Sequence, residues 1–309
     1  MEKLRFIIFM KSQKTGVVLV LISGIMWGIS GVLGQYIFNN SNMDSIQLTV
    51  IRQFISGFLL LIISVLKKDK KVFKIWRSGR KFCSFLFFSL TGVLGVQLTY
   101  FLSIENSNAA TGTVIQFTYI IMILMCTTVI MHNKPKIYEV LALICAFCGI
   151  FLVATHGKFN SLAVSKESLI WGLASAVCFT IYCLYPQKLY REFGLINIIG
   201  WGSVISSFIL IIMTHTYSFS FGSPYILLLS LLVALVGSLF PFVFYGKGIE
   251  LLGSVKASLF VTVEPVTSAI LTWMCFGTRF TKEDIIGFLL ILGAIEGVSV
   301  MTFKMKKKD

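Results

Sequence analysis

The sequence is poor in charge. Only 13% of its 309 residues are Asp, Glu, Lys or Arg, while 56% are hydrophobic and the mean hydropathy is +0.88. A soluble chain carries about 25% charged residues, and a water-soluble fold of this length cannot hide so much apolar surface. A soluble globular class is therefore excluded. Acidic residues are the scarcer sign, with 13 Asp and Glu against 27 Lys and Arg. Histidine is rarer still: His132, His156 and His215 are the only three, and all fall in loops or at the ends of apolar runs. An intramembrane metalloprotease needs histidine or acid ligands inside its helices, so that class is unsupported and no metal site is expected. The sequence has no H-E-x-x-H, no P-loop and no G-x-S-x-G, which leaves an ATP-driven pump unsupported and implies no cofactor. Polar loops lack cysteine: Cys83, Cys126, Cys145, Cys148, Cys178, Cys183 and Cys275 lie within or beside apolar segments, so no disulfide framework is expected. Cys145-x-x-Cys148 has redox spacing but no third ligand nearby, and reads as helix packing.

Long apolar runs are abundant. About 20 such residues cross ~30 Å of hydrocarbon as a helix. Ten segments qualify: 16–38, 45–66, 82–104, 109–131, 137–155, 168–189, 196–213, 224–249, 256–277 and 284–303. These lengths suit helices, not the ten-residue strands of a barrel. The expected class is an all-α polytopic membrane protein with ten transmembrane helices, and the first apolar segment reads as a span without a cleavage site. The positive excess could be a nucleic-acid footprint, but the charges sit in short clusters between apolar runs, so no nucleic-acid partner is expected. Of the 27 basic residues, 22 fall on one side of these spans, eight of them in the loop 67–81. Such bias marks the cytoplasmic face, which places both termini in the cytoplasm of a plasma-membrane protein and sets basic groups against anionic lipid head groups.

The two halves repeat. At an offset of 145, Gly92, Leu94, Tyr100, Ile104 and Glu105 meet Gly237, Leu239, Tyr245, Ile249 and Glu250. The second segments align at 150 (Ser56 on Ser206) and the first at 152 (Ser23 on Ser175). The domains read as a segment 1–15, a repeat 16–155, a second repeat 168–303 and a basic tail 304–309. Each repeat holds five spans, an odd number, so the second must be inverted in the membrane. Inverted repeats are characteristic of secondary transporters with a site near the midplane.

Several motifs now carry a resemblance. They are Gly24-x-x-Trp27-Gly28, Arg52 in TVIRQFISGFLLL, NAATGTVIQFTYIIMIL, GSVKASLFVTVEPVTSAIL with its Glu264-Pro265 pair, and EDIIGFLLILGA. Across about 16–303 the chain resembles the ten-span members of the drug/metabolite transporter superfamily that have two EamA domains. The resemblance implies movement of small organic solutes such as amino acids, often outward. Ile120 is a departure, because many relatives carry Pro there, at the position matching Pro265. A helix break in the first half that would match one at Pro265 is therefore not expected.

Three ionisable residues lie deep in spans, where each is costly and a functional candidate. At 1.5 Å per residue, Arg52 sits ~10 Å below the extracellular end of its span, Glu264 ~12 Å in from the cytoplasmic end of the ninth and Glu296 ~18 Å in from the extracellular end of the tenth. Glu264 reads as a cavity carboxylate that binds a cationic group or exchanges a proton; its structural alternative is a bond to a neighbouring Ser, Thr or Tyr. Arg52 aligns with Gly202 and has no counterpart; its alternatives are reaching to the interface or a fixed ion pair. With Glu264 it would suit a zwitterion. Glu296, beside Gly293 and Gly297, is a second coupling candidate whose structural reading is tight packing. Trp27, Tyr100, Gln116 and Tyr119 complete the expected substrate site, and Pro241 and Pro265 are candidate helix breaks. The expected function is secondary transport of a small organic metabolite by alternating access, as a monomer or homodimer. Proton coupling, uniport and exchange stay open. The rivals are a membrane enzyme acting on lipid or isoprenoid substrates and a non-transporting receptor or assembly partner.

Overall fold

A computed structural model describes residues 2–130, 137–157, 163–217, 223–252, 257 and 260–305, and among these every regular element is helical. The helices are α1 (Glu2–Asn40), α2 (Ser45–Leu66), α3 (Gly79–Phe88), α4 (Val96–Glu105), α5 (Ala109–Gln116), α6 (Tyr119–Ile130) and α7 (Ile137–Thr155). They continue as α8 (Lys166–Leu184), α9 (Gln187–Phe193), α10 (Leu195–Thr214), α11 (Pro224–Ala234), α12 (Phe240–Leu252), α13 (Val263–Phe276) and α14 (Lys282–Met305). Side-chain oxygens close several starts: Asp44 accepts from the N–H of Gln47 at 2.7 Å, Asn108 from Thr111 at 2.9 Å and Ser165 from Ser168 at 3.0 Å.

Six helical stretches are long and apolar enough to cross a membrane, among them Gln13–Asn40, Ser45–Leu66 and Pro224–Leu252, and two shorter apolar helices accompany them. The burial pattern is that of a bundle in lipid. On α2, Phe54, Phe58, Ile62 and Val65 form an exposed apolar stripe, while Arg52, Gln53 and Ser56 face inward. The main helix contacts pair α2 with α10, α7 with α14, α1 with α12 and α13, and α8 with α4 and α5. Small residues permit the closest of these. A Cβ on Gly24 would lie 2.6 Å from Val263 Cγ1, and one on Gly28 2.9 Å from the Glu264 carbonyl, so α1 and α13 touch through this pair of glycines one turn apart.

Three expected segments are interrupted. The fourth breaks at Phe117–Thr118 without proline: Thr118 Oγ1 donates to the Ile115 carbonyl at 2.8 Å, and a hydroxyl so placed competes with the helix ladder. The ninth turns at Val261–Thr262, so Pro265 is the third residue of α13, where a missing N–H costs little. Breaks therefore occur at matching places in both halves, and Ile120 does not prevent the first. The sixth ends at Leu184, because Pro186 cannot continue it, and the chain restarts as α9.

Two π-helical turns, Ser89–Gly95 between α3 and α4 and Leu235–Leu239 between α11 and α12, fall on each other at the 145-residue offset. Each widens the helix by one residue per turn and aims carbonyls sideways. Pro241 lies two residues beyond the second.

Candidate functional site

The π-turns, the two breaks and α1 converge on one cavity of about 30 Å³. That is room for about two water molecules. Five expected residues line it: Trp27, Arg52, Tyr100, Gln116 and Glu264. Tyr119 does not; its ring packs at a tilt against Phe179, with centroids 4.3 Å apart. Pro241 and Pro265 do not line the cavity; each precedes or follows a residue that does, Phe242 and Glu264 respectively. Glu296 lies on α14, but its side chain is outside the described residues. The packing expected around it is not found at Gly293 and Gly297, where an added Cβ would meet nothing within 4 Å among the described residues.

Arg52 is 3% exposed, so it does not reach the interface, and no carboxylate lies within 4 Å of it among the described residues. Neutral groups hold it instead. Nε donates to Ser238 Oγ at 3.0 Å, Nη2 donates to the Gly237 carbonyl at 2.8 Å, and the guanidinium carbon sits 4.6 Å from the centroid of the Phe101 ring. Ser238 in turn donates to Gln97 Oε1 at 3.0 Å. Glu264 is 6% exposed, and its carboxylate makes no hydrogen bond among the described residues. The bond to a neighbouring Ser, Thr or Tyr that a structural carboxylate would make is thus absent there.

The other polar groups are mostly engaged. Tyr100 shares a 2.8 Å hydrogen bond with Thr113, Gln116 Nε2 donates to Ser175 Oγ at 2.6 Å, and Trp27 Nε1 donates to the Gly237 carbonyl at 3.1 Å. Trp27 packs edge-on against Phe242 and Tyr245, with centroids 5.2 Å away in each case, and these rings fill one side of the site. Ser30 is the exception, a buried hydroxyl at the cavity with no partner among the described residues. The cavity therefore holds a guanidinium and a carboxyl group that make no ion pair with each other, one free hydroxyl and an aromatic wall.

Ser30, Val96, Gln97, Phe179 and Phe242 also line it and were not among the expected site residues. Gln97 had a signal, being a polar residue inside an apolar run, but the π-turn before it shifts the helical face by one residue, so spacing alone misplaces it. Phe179 and Phe242 carry no distinguishing signal in so aromatic a chain. Trp201 lies outside the cavity and anchors the loop 67–81: Nε1 donates to the Val72 carbonyl at 2.7 Å and the ring packs on Trp76.

The profile of the EamA-like transporter family matches this sequence twice, over residues 14–155 and 166–300. The chain belongs to that family. It is 36% identical over 292 residues to an uncharacterized inner membrane transporter, YicL, of Salmonella typhimurium, covering 94% of this chain and 97% of that one. It is also 21% identical over 260 residues to an uncharacterized transporter, YyaM, of Bacillus subtilis, covering 80% and 82%. A solved crystal structure superposes with a TM-score of 0.65 at 13% identity, over 94% of this chain and 99% of that one, which shows a shared fold. The EamA-family chain is thus a multi-pass membrane protein of a transporter family.

Proposed function

We propose that the chain is a secondary transporter of a small zwitterionic metabolite, amino-acid-like, working by alternating access in the plasma membrane. The observation that carries this reading is the presence of Arg52 and Glu264 in one cavity with neither in an ion pair among the described residues. A buried unpaired charge costs several kcal/mol, and a ligand bearing a carboxylate and an ammonium would offset both costs at once. Ser30, unpartnered beside Arg52, adds a hydrogen-bonding group for the same ligand.

The contracted volume fits this mechanism. Ligand sites usually measure about 300–1,000 Å³, so helices must part before a metabolite enters. Ten spans in two inverted five-helix repeats, 16–155 and 168–303, supply the parts. The reading is supported by the contact pattern, since α1 with α12 and α13 answers to α8 with α4 and α5 under exchange of the halves. Outward movement and proton exchange at Glu264 are uses of the same site, as is exchange of one solute for another.

The test is flux. Proteoliposomes holding the full chain should take up amino acids by counterflow, and a cysteine at Gln116 should react with a small maleimide from either side in turn. A Gln116 cysteine unreactive from both sides, with no counterflow, would favour the receptor or assembly reading. Turnover of a lipid or isoprenoid substrate would favour an enzyme.

A further inference from the structure

In a regular helix the carbonyl of residue 237 accepts from the N–H of residue 241, but residue 241 is proline. The Gly237 carbonyl, which can take nothing from residue 241, accepts from Arg52 Nη2 at 2.8 Å and Trp27 Nε1 at 3.1 Å. The next residue along α2 serves the other π-turn: Gln53 Nε2 donates to the Val93 carbonyl at 3.1 Å. Neighbouring side chains of one helix therefore hold both π-turns, a neutral one on the first and a charged one on the second. Gly237 is what permits the second contact. A Cβ there would collide with Ser30 Oγ and lie 2.9 Å from Arg52 Nη2.

A guanidinium is a costly cap for a neutral carbonyl, because its charge stays uncompensated. It has five donors in a fork that matches a carboxylate. Hydrogen bonds between two ionised partners are roughly twice as strong as neutral ones. An anion that entered the cavity would compete with Gly237 and Ser238 for the same N–H groups.

We propose that Arg52 is a positioning residue that changes acceptors: it latches the π-turn Leu235–Leu239 while the cavity is contracted, and moves to the carboxylate of an entering solute, freeing that turn. The identity of the solute rests on the transporter reading; the latch itself does not. Once Arg52 leaves, Trp27 remains the one described side chain donating to Gly237, and the turn has the slack to act as a hinge between α11 and α12. Gln53 carries no charge and stays on Val93, so release is confined to one half of the molecule.

Hydrogen–deuterium exchange of the full chain in lipid nanodiscs tests this, following peptides over 88–96 and 233–241. Arg52→Gln should speed exchange in 233–241 by about tenfold and leave 88–96 unchanged, whereas Gln53→Leu should do the reverse. Arg52→Lys, which keeps the charge but not the fork, should fall between wild type and Arg52→Gln. An equimolar mixture of L-amino acids should speed exchange over 233–241 in wild type but not in Arg52→Gln, and the matched mixture of amino-acid carboxamides should have no effect. Unchanged exchange over 233–241 in both Arg52 variants overturns the latch. Equal effects of acids and amides, or no effect of either, overturn the carboxylate as its release. Counterflow with an undisturbed turn would keep the transporter reading and remove the latch; a loosened turn without counterflow would do the opposite.

Discussion

Glu264 is a carboxylate at the second position of α13, reached just after the Val261–Thr262 turn, and it faces a cavity too small for anything but water. Without a hydrogen-bond donor among the described residues, it needs a cation, a proton or a ligand amine to be stable there. Glu264→Gln keeps the shape and removes the titration, so pH-dependent flux in proteoliposomes should become pH-independent. A variant whose flux keeps the wild-type pH profile would take the proton role away from Glu264. The glycines allow a second residue-level prediction. Gly237→Ala forces a methyl into Ser30 and Arg52 and should destabilise by about 1–3 kcal/mol, the usual cost of overpacking. Gly293→Ala, which meets open space among the described residues, should be neutral or slightly stabilising, by less than about 1 kcal/mol. Thermal unfolding of the two variants in detergent compares them directly, and equal midpoints would contradict the crowding at Gly237.

At the scale of elements, the helices were legible because a run of about 20 apolar residues has few other solutions. Half of the cavity lining was legible for a related reason: Arg52 and Glu264 stand out where charge is expensive, and Trp27, Tyr100 and Gln116 are polar or amphipathic residues at mid-depth. What could not be read was backbone register. The break at Phe117–Thr118 needs no proline, and the turn before Gln97 rotates the face on which that side chain lies. Tyr119 was misplaced by one ring for the same reason, since the break redirects the chain just before it. Pro241 was legible as an interruption, but not the partner its missing N–H would call in from α2. That dependence predicts the effect of restoring the N–H. Pro241→Ala gives Gly237 an acceptor's ordinary partner within its own helix, and proline in a helix interior costs up to ~3 kcal/mol. The variant should unfold at a higher temperature yet carry flux more slowly, because the turn has lost its mobility. A variant that is both less stable and faster would show that the interruption is not Pro241's doing.

At the scale of the molecule, charge divides the bundle into two unlike ends. The loop with eight basic residues, 67–81, folds back on α9 and α10 through Trp201 on Val72, Asn197 on Asp69 at 2.8 Å, and an exposed Lys81–Glu192 pair. Surface pairs of that kind contribute about 0–1 kcal/mol, so the basic residues are not there chiefly to hold the loop. The opposite end is tied by short polar links, with Ser165 donating to the Asn106 carbonyl at 3.0 Å and His156 meeting Asp284 at 3.1 Å. Basic residues resist transfer across a membrane during insertion, so an end this rich in Lys and Arg should remain cytoplasmic. We therefore predict that, with the seven native cysteines replaced, a cysteine at Arg77 is protected from an impermeant maleimide in right-side-out vesicles, while one at Lys166 reacts. Arg77 belongs to the short turn beside exposed Trp76 on the basic end, and Lys166 opens α8 on the other, so the two labels report opposite faces of one bundle. Reaction at Arg77 with protection at Lys166 would invert the molecule. It would also reverse which mouth of the cavity meets the cytoplasm, and with it the direction in which a metabolite leaves.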